Sequence, residues 1–274
     1  MTWPVIAGPE GARFVELADA GLAEVGTCLQ PWTTPPFDAH EDRLVATGVT
    51  GRPSSSIAAK LAHLTEAFTD RFGRAPRVHR AVRGGLDGAT LQALERLGYA
   101  IDTTALPRVD ATADGGTDWR DAPSVPWFPD RQRPAARGAS PILEVPVTTG
   151  YHREVPEFVD RLVTRLPPLA RRTLGRPELG VLRLQRLDPV AHTAAELRAF
   201  ARLLVDQGLP CLNIALRSPE LCAGESRRCP EADDVERLFS QLEDVARYAV
   251  DELRVHPRSL SGFGAWYLNE TAMC

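Results

Sequence analysis

Short β-branched runs alternate with longer amphipathic ones along almost the whole chain, and that rhythm constrains the fold more than any other feature. Strand-like runs fall at residues 3–7, 23–29, 77–82, 99–103, 141–148, 180–185 and 210–216. Apolar residues at helical spacing fill the intervals. Phe14, Leu17 and Ala18 share one face ahead of Gly21, and Ile57, Leu61, Leu64 and Phe68 share another. Leu91, Leu94 and Leu97 follow Asp87, an N-cap residue type, and end at Gly98. Residues 154–166 are expected to turn Val155, Phe158, Val159, Leu162 and Val163 inward. Thr193 and Glu196 have the spacing of a capping box. The longest helical run, residues 231–253, lines up Val235, Leu238, Phe239, Leu242, Val245, Ala249 and Leu253. Strands separated by helices predict a parallel sheet with helices outside, wound open or closed as a barrel. The chain has 274 residues and 43% hydrophobic content, enough for one large α/β core. No repeat or boundary interrupts it, so a single domain over residues 1–274 is expected. Its one long loop, at about 106–140, carries Trp119, Trp127 and Phe128, which favours an ordered lid over a linker.

Composition narrows the function classes. A formal net charge of -4 argues against nucleic-acid binding, which needs a basic stripe. No apolar run approaches the roughly 18 residues of a membrane span, and the opening residues lack a signal-peptide pattern. Five cysteines, an odd count, fit reduced thiols in the cytoplasm. Cys222 and Cys229 stand with six residues between them, a spacing open to a local disulfide, a metal site or two free thiols. Lys60 is the only lysine, and the arginines around it read as coding bias.

Active sites of such folds form at the C-terminal ends of the strands. The residues to weigh are therefore 28–37, 80–85, 102–104, 144–149 and 217–220. Arg80 and Arg83 can orient a substrate, pair with Asp102, or close the mouth of the sheet by salt bridges. Arg217 can clamp a carboxylate or phosphate bidentately, or stand solvated in its loop. Trp32 and Trp127 can stack on a sugar ring or pack the long loops. Cys28 reads as a buried small hydrophobe, or as a thiol activated by neighbouring arginines. His79 reads as packing. His40, beside Asp38 and Glu41, is the histidine that could replace a lost ligand or base.

Taken in order, the strand ends look familiar. Gly26 to Phe37 reads G-T-C-L-Q-P-W-T-T-P-P-F, similar to a loop of the form H-L-H-P-W-N-T-P-P-F. Arg80 to Gly85 reads R-A-V-R-G-G, similar to R-A-G-R-x-G, and is followed by Leu97-Gly-Tyr99 and Asp102-Thr-Thr104, similar to L-G-Y and D-S-S. Glu144 to Thr148 reads E-V-P-V-T, and Leu212 to Ser218 is similar to a strand ending in H-S. The set resembles the polysaccharide deacetylase (NodB-homology) family, in order from about Thr2 to about Leu253. The resemblance implies a distorted, TIM-like (β/α) barrel. It implies hydrolysis of N-acetyl groups on sugars, or of related amides, at a divalent metal such as zinc. An aspartate of the first strand and two loop histidines hold that metal, a second aspartate is the base, and a late histidine is the acid.

Here the two loop histidine positions are Cys28 and Gln30, and the late histidine position is Arg217. The first strand, with its aspartates, would precede Thr2. Arg217 stays charged and cannot exchange a proton near neutral pH. The departures imply a metal-free, degenerate member, a pseudoenzyme or a catalyst that needs no metal. It would bind a polar or anionic small molecule, or a sugar, through Trp32, Arg80, Arg83, Glu144, Trp127 and Arg217. Asp102, Arg80, Arg83 and Arg217 are the candidate catalytic residues. A working C–N hydrolase, with zinc or another divalent metal in a rebuilt site at Cys28, Asp38, His40 or Asp102, is the alternative. A non-catalytic interaction subunit is the third reading. An opened barrel exposes strand edges, so a homodimer, a partner subunit or the segment 259–267 folding in as a strand is expected to cover the gap.

Overall fold

The computed structural model describes residues 1–9, 11–37, 48–167, 169–170 and 182–272. The chain forms two compact units, Met1–Pro146 with Arg258–Cys274, and Val147–Pro257.

The first unit is built on four parallel strands in consecutive order: β1 (Thr27–Leu29), β2 (Val78–Ala81), β3 (Ile101–Asp102) and β4 (Leu143–Glu144). Helices α1 (Trp3–Ala7) and α2 (Gly11–Asp19) precede β1, while α3 (Ser54–Phe72) and α4 (Gly88–Arg96) connect the next strands. The mixed α/β class and the parallel pairing are as the alternation predicts. Ile57, Leu61, Leu64 and Phe68 of α3 are buried with Leu91 and Leu94 of α4 and Leu29 of β1 in one core. Asp87 caps α4 by accepting the Thr90 N–H at 2.8 Å, and Gly73 closes α3 in the left-handed conformation that glycine adopts without strain.

Residues 103–142 are tied down along their length. Antiparallel bridges join Asp110 to Asp118, Pro129 to Arg137, and Trp127 to Glu144. Trp119 and Trp127 are buried edge to face, 6.4 Å between ring centroids. Each indole N–H finds a carbonyl, Gly84 at 2.8 Å and Pro134 at 3.1 Å. Such aromatics bury much apolar area and keep a polar handle satisfied.

Within the second unit, β5 (Thr149–Tyr151) and β6 (Leu184–Arg186) pair antiparallel. Helix α5 is Glu157–Arg165, α6 is Ala194–Asp206 and α7 is Ala232–Asp251. Leu197, Phe200, Ala201 and Leu204 of α6 pack with Val245 of α7 and Leu187. The Thr193–Glu196 capping box forms as its spacing predicts.

Five expectations are corrected. Residues 3–7 form a helix, because Pro4 suits its first turn and the Thr2 carbonyl accepts from Val5 and Ile6. The run 141–148 is not one strand: β4 ends at Glu144 and pairing resumes at Thr149. Pro146, which has no N–H for a ladder, lies in the break. Residues 210–216 form no strand: the Thr148 N–H reaches the Asn213 carbonyl at 3.0 Å as in a ladder, but the return bond from the Asn213 N–H goes to the Thr148 hydroxyl at 2.7 Å and not to a carbonyl. On α5, Phe158 and Leu162 are exposed, not inward. Of residues 259–267, all but Ser259 belong to a helix, α8 (Leu260–Ala272), and not to a strand. Gly264 lets α8 approach the sheet, since a Cβ there would stand 2.8 Å from Ile101 Cδ1. Among the described residues, no helix is long and apolar enough to cross a membrane.

Candidate functional site

Parallel pairing brings the C-terminal ends of β1 to β4 to one edge of the first unit. The register places Thr27, His79, Asp102 and Glu144 side by side, one from each strand. Residues in register point to the same face, so a polar rung crosses the sheet. All four side chains are buried. Thr27 donates to the Tyr99 hydroxyl at 2.9 Å, and the Tyr99 ring lies edge-on to His79. His79 Nδ1 donates to Asp102 Oδ2 at 2.6 Å, with both side chains at 0% exposure. Asp102 Oδ1 accepts the Thr104 N–H at 2.9 Å, and Glu144 Oε1 accepts the Ala105 N–H at 2.8 Å. Among the described residues, His79 Nε2 and Glu144 Oε2 have no hydrogen-bond partner.

Their surroundings shift the two carboxyls in opposite directions. Burial opposes ionisation of Asp102, but the His79 bond and charge and the Thr104 bond outweigh it and hold Asp102 below the usual carboxylate range. Burial pushes Glu144 well above that range, and the neighbouring Asp102 charge adds to the effect. The pair is thus shifted in opposite directions, Asp102 toward the ionised form and Glu144 toward the protonated one.

The next rung pairs Cys28 with Arg80. Burial pushes the Cys28 thiol up, against the pull of the Met1 ammonium and the Arg80 guanidinium. A raised thiol pKa disfavours the thiolate that an activated cysteine needs. The Cys28 N–H donates to the Met1 carbonyl at 2.6 Å, and the Met1 ammonium donates to the Gly26 carbonyl.

Beyond the strand ends, two of the predicted residues meet. The Arg83 guanidinium stacks over the Trp32 ring, 4.9 Å from its centroid. Arg83 holds the left-handed conformation, φ 57 and ψ 19, which costs a side-chain-bearing residue about 1–2 kcal/mol. The long loop enforces it. Thr117 donates to Gly84 O through its N–H at 3.0 Å, and its hydroxyl accepts the Leu86 N–H at 2.9 Å. Gly116 presses so close that a Cβ there would stand 2.1 Å from the Arg83 carbonyl oxygen. The long loop thus bonds to the backbone that follows Arg83 and packs against the Arg83 carbonyl. An open groove of about 580 Å³ is lined by Ser54, Asp87, Gly88, Gln92, Arg96 and Arg131; Arg83 and Trp32 do not line it.

Trp127 and Glu144 are 1% and 0% exposed, so neither presents a surface to a ligand in this conformation. Arg217 belongs to the second unit. Its side chain is 71% exposed and donates to Glu220 Oε1 at 3.0 Å. Arg228 shares that oxygen at 2.6 Å and reaches Asp188 at 2.7 Å. Asp38 and His40 lie outside the described residues. Among the described residues, no three His, Cys, Asp or Glu side chains are grouped to hold a metal ion. Cys28, Cys211, Cys222 and Cys229 are free thiols.

Two residues have roles that their sequence context does not announce. His79 is the partner of Asp102 as well as a packing residue. The Lys60 side chain is fully buried, with Nζ donating to Thr34 O at 2.8 Å and Pro36 O at 2.6 Å. The signal for Lys60 was its singularity in an arginine-rich chain.

No family model matches this sequence, and no curated protein matches it either.

Proposed function

We propose that the chain is a metal-free relative of the polysaccharide deacetylases that binds a polar or anionic small molecule, or a sugar, at the C-terminal edge of its parallel sheet. The observation that carries this reading is the Arg83–Trp32 stack. A guanidinium held in a strained backbone conformation, with one face on an indole, is preorganised to meet an anion or a ring hydroxyl. The consecutive parallel order β1 to β4 fits an arc of the (β/α) barrel that the sequence resemblance implies. The free thiols fit a reducing compartment such as the cytoplasm.

The residues at the family's metal positions do not fit a divalent ion. Cys28 is a thiol whose burial disfavours the thiolate, and its charged neighbours include an ammonium and the Arg80 guanidinium. Gln30 Oε1 already accepts from the Thr33 hydroxyl at 3.3 Å.

Glucuronate and N-acetylglucosamine are suitable probes, one a sugar carboxylate and one a neutral N-acetyl sugar. Titration followed by tryptophan fluorescence is expected to saturate at millimolar concentration with at least one of them. Arg83→Ala is expected to abolish the response. No saturable change with either sugar overturns the reading.

A second reading, a working C–N hydrolase, is favoured by one feature. Neighbouring carboxyls whose pKa values are pushed in opposite directions, Asp102 down and Glu144 up, are the arrangement of an acid–base pair. It requires the closed rung to open to substrate. Acetate released from N-acetylglucosamine, and lost in Asp102→Asn, would establish it; binding without release favours the first reading.

A further inference from the structure

Trp32 can serve Arg83 only if the loop that carries it holds one shape, and that loop has few means of its own to do so. From Gln30 to Phe37 it reads Q-P-W-T-T-P-P-F, so three of its eight residues lack an N–H. Its internal bonds converge on Gln30: the Thr33 N–H reaches the Gln30 carbonyl at 3.1 Å and the Thr34 hydroxyl reaches it at 2.9 Å. The second half of the loop is held from outside. Lys60 rises from the middle of α3, 0% exposed, and its ammonium donates to the carbonyls of Thr34 and Pro36. The same ammonium lies 5.4 Å from the centroid of the Phe37 ring. A buried ammonium is costly unless its protons are taken up, so the loop and the charge hold each other in place.

We propose that Lys60 is the positioning residue of the binding edge, an interior cation that sets the loop carrying Trp32 and so places the indole under Arg83. The idea rests on the reading of that edge as a ligand site, but its test is separable from it. Lys60 is on a helix already rigid through its own core, with Ile57, Leu61 and Leu64 buried on the neighbouring turns. Side chains that lock a site from a rigid element are what preorganisation requires. An arginine, the cation used elsewhere in this chain, presents a wide planar fork, whereas a lysine presents a compact point charge to carbonyls converging from one loop. That difference accounts for a lone lysine here without appeal to codon usage.

The experiment is limited chymotrypsin digestion of Lys60→Met and wild type under native conditions, with the Trp32–Thr33 bond followed by mass spectrometry. Cleavage of this kind tracks the population of the opened segment, so a released loop should be cut at least about tenfold faster. Cuts after Phe68, Phe72 and Tyr99 in the core should not change. A rise at all sites together would mean that Lys60 only stabilises the unit, and no rise at Trp32 would mean that it holds nothing; either result overturns the proposal. If Lys60→Met fails to fold, the wild type still decides. Because the chain has one lysine, acetylation by an amine-reactive ester reports on Lys60 without ambiguity at the side-chain level. Acetylation of native protein should be slow and should release the Trp32 cut with it. Rapid acetylation, or acetylation that leaves the Trp32 bond resistant, overturns the idea. Glucuronate titration of Lys60→Met then links the two readings. Failure of wild type to bind either sugar rejects the ligand site, whereas the digestion pattern alone judges Lys60.

Discussion

The rung through β1 to β4 and the loop around Glu220 both set carboxyl groups against nitrogen donors, a histidine in one and arginines in the other, in opposite surroundings. In the rung, Asp102 and His79 meet at 0% exposure, and neither can exchange its partner for water. In the second unit, Glu220 is almost as buried, at 2%, but its cations are not: Arg228 is 30% exposed and Arg217 71%. A carboxylate with two cations can lose one and keep its charge compensated. One with a single buried partner cannot. The comparison therefore predicts that charge removal in the first unit is felt as folding energy, and in the second as a small, salt-sensitive adjustment.

The largest effect should come from the rung itself. Replacing Asp102 by alanine strips His79 of its acceptor and leaves the Thr104 N–H without its carboxylate. Breaking a buried pair from one side typically costs about 3–5 kcal/mol. Urea denaturation of Asp102→Ala should show a loss in that range. A loss below about 1 kcal/mol, the level of an exposed pair, would erase the contrast between the two regions.

Next is the pH response of the same rung. Glu144 has its folded pKa raised, so the stability it lends is complete below the unfolded glutamate value of about 4.3 and declines as pH climbs toward the folded value. Across that window the unfolded chain releases a proton that the folded chain keeps, and the slope is about -1.4 kcal/mol per pH unit. Asp102, with its folded pKa lowered, works at the other end: its contribution stands above about 3.9 and is lost as pH falls through the lower folded value. Glu144→Gln keeps the shape and removes the titration. Its stability relative to wild type should rise steadily with pH above about 4.3. A difference independent of pH would mean that Glu144 is ionised in the fold.

The same contrast explains what could be read without coordinates. Local signals survive translation into structure. Asp87 caps α4 and Thr193 with Glu196 boxes α6, because a cap needs only residues three apart. The parallel class was legible for a similar reason, since helical and strand periodicities alternate in the sequence itself. The rung was not. His79 and Asp102 are 23 residues apart, and only the register of β2 on β3 makes them neighbours. A lone histidine in an apolar strand carries no sign of that. Lys60 was missed because burial of its ammonium depends on two carbonyls from a distant loop. On α5, periodicity gave an apolar stripe but not what would cover it, and Phe158 and Leu162 stand exposed. At the candidate site, the loop composition pointed to Trp32 and Arg83, whereas the left-handed backbone that makes Arg83 distinctive is imposed by Thr117 and Gly116 from the long loop.

The smallest effect should come from Arg217. Its guanidinium bonds to Glu220 Oε1 from a position 71% open to water, where solvent replaces most of what the bond provides. Arg228 stays on the same oxygen and carries the connection to Asp188, so Glu220 is not stranded. Arg217→Ala should therefore lower stability by less than about 1 kcal/mol. Raising salt should shrink even that difference, because exposed pairs are screened over about 8–10 Å at physiological ionic strength. Removing Arg228 is the sharper control: it takes away the link that joins the two carboxylates and should cost more than Arg217 does. If denaturation ranks Arg217→Ala at or above Arg228→Ala, the loop is organised around the exposed arginine, and the Glu220 network resembles the buried rung more closely than its solvent exposure implies.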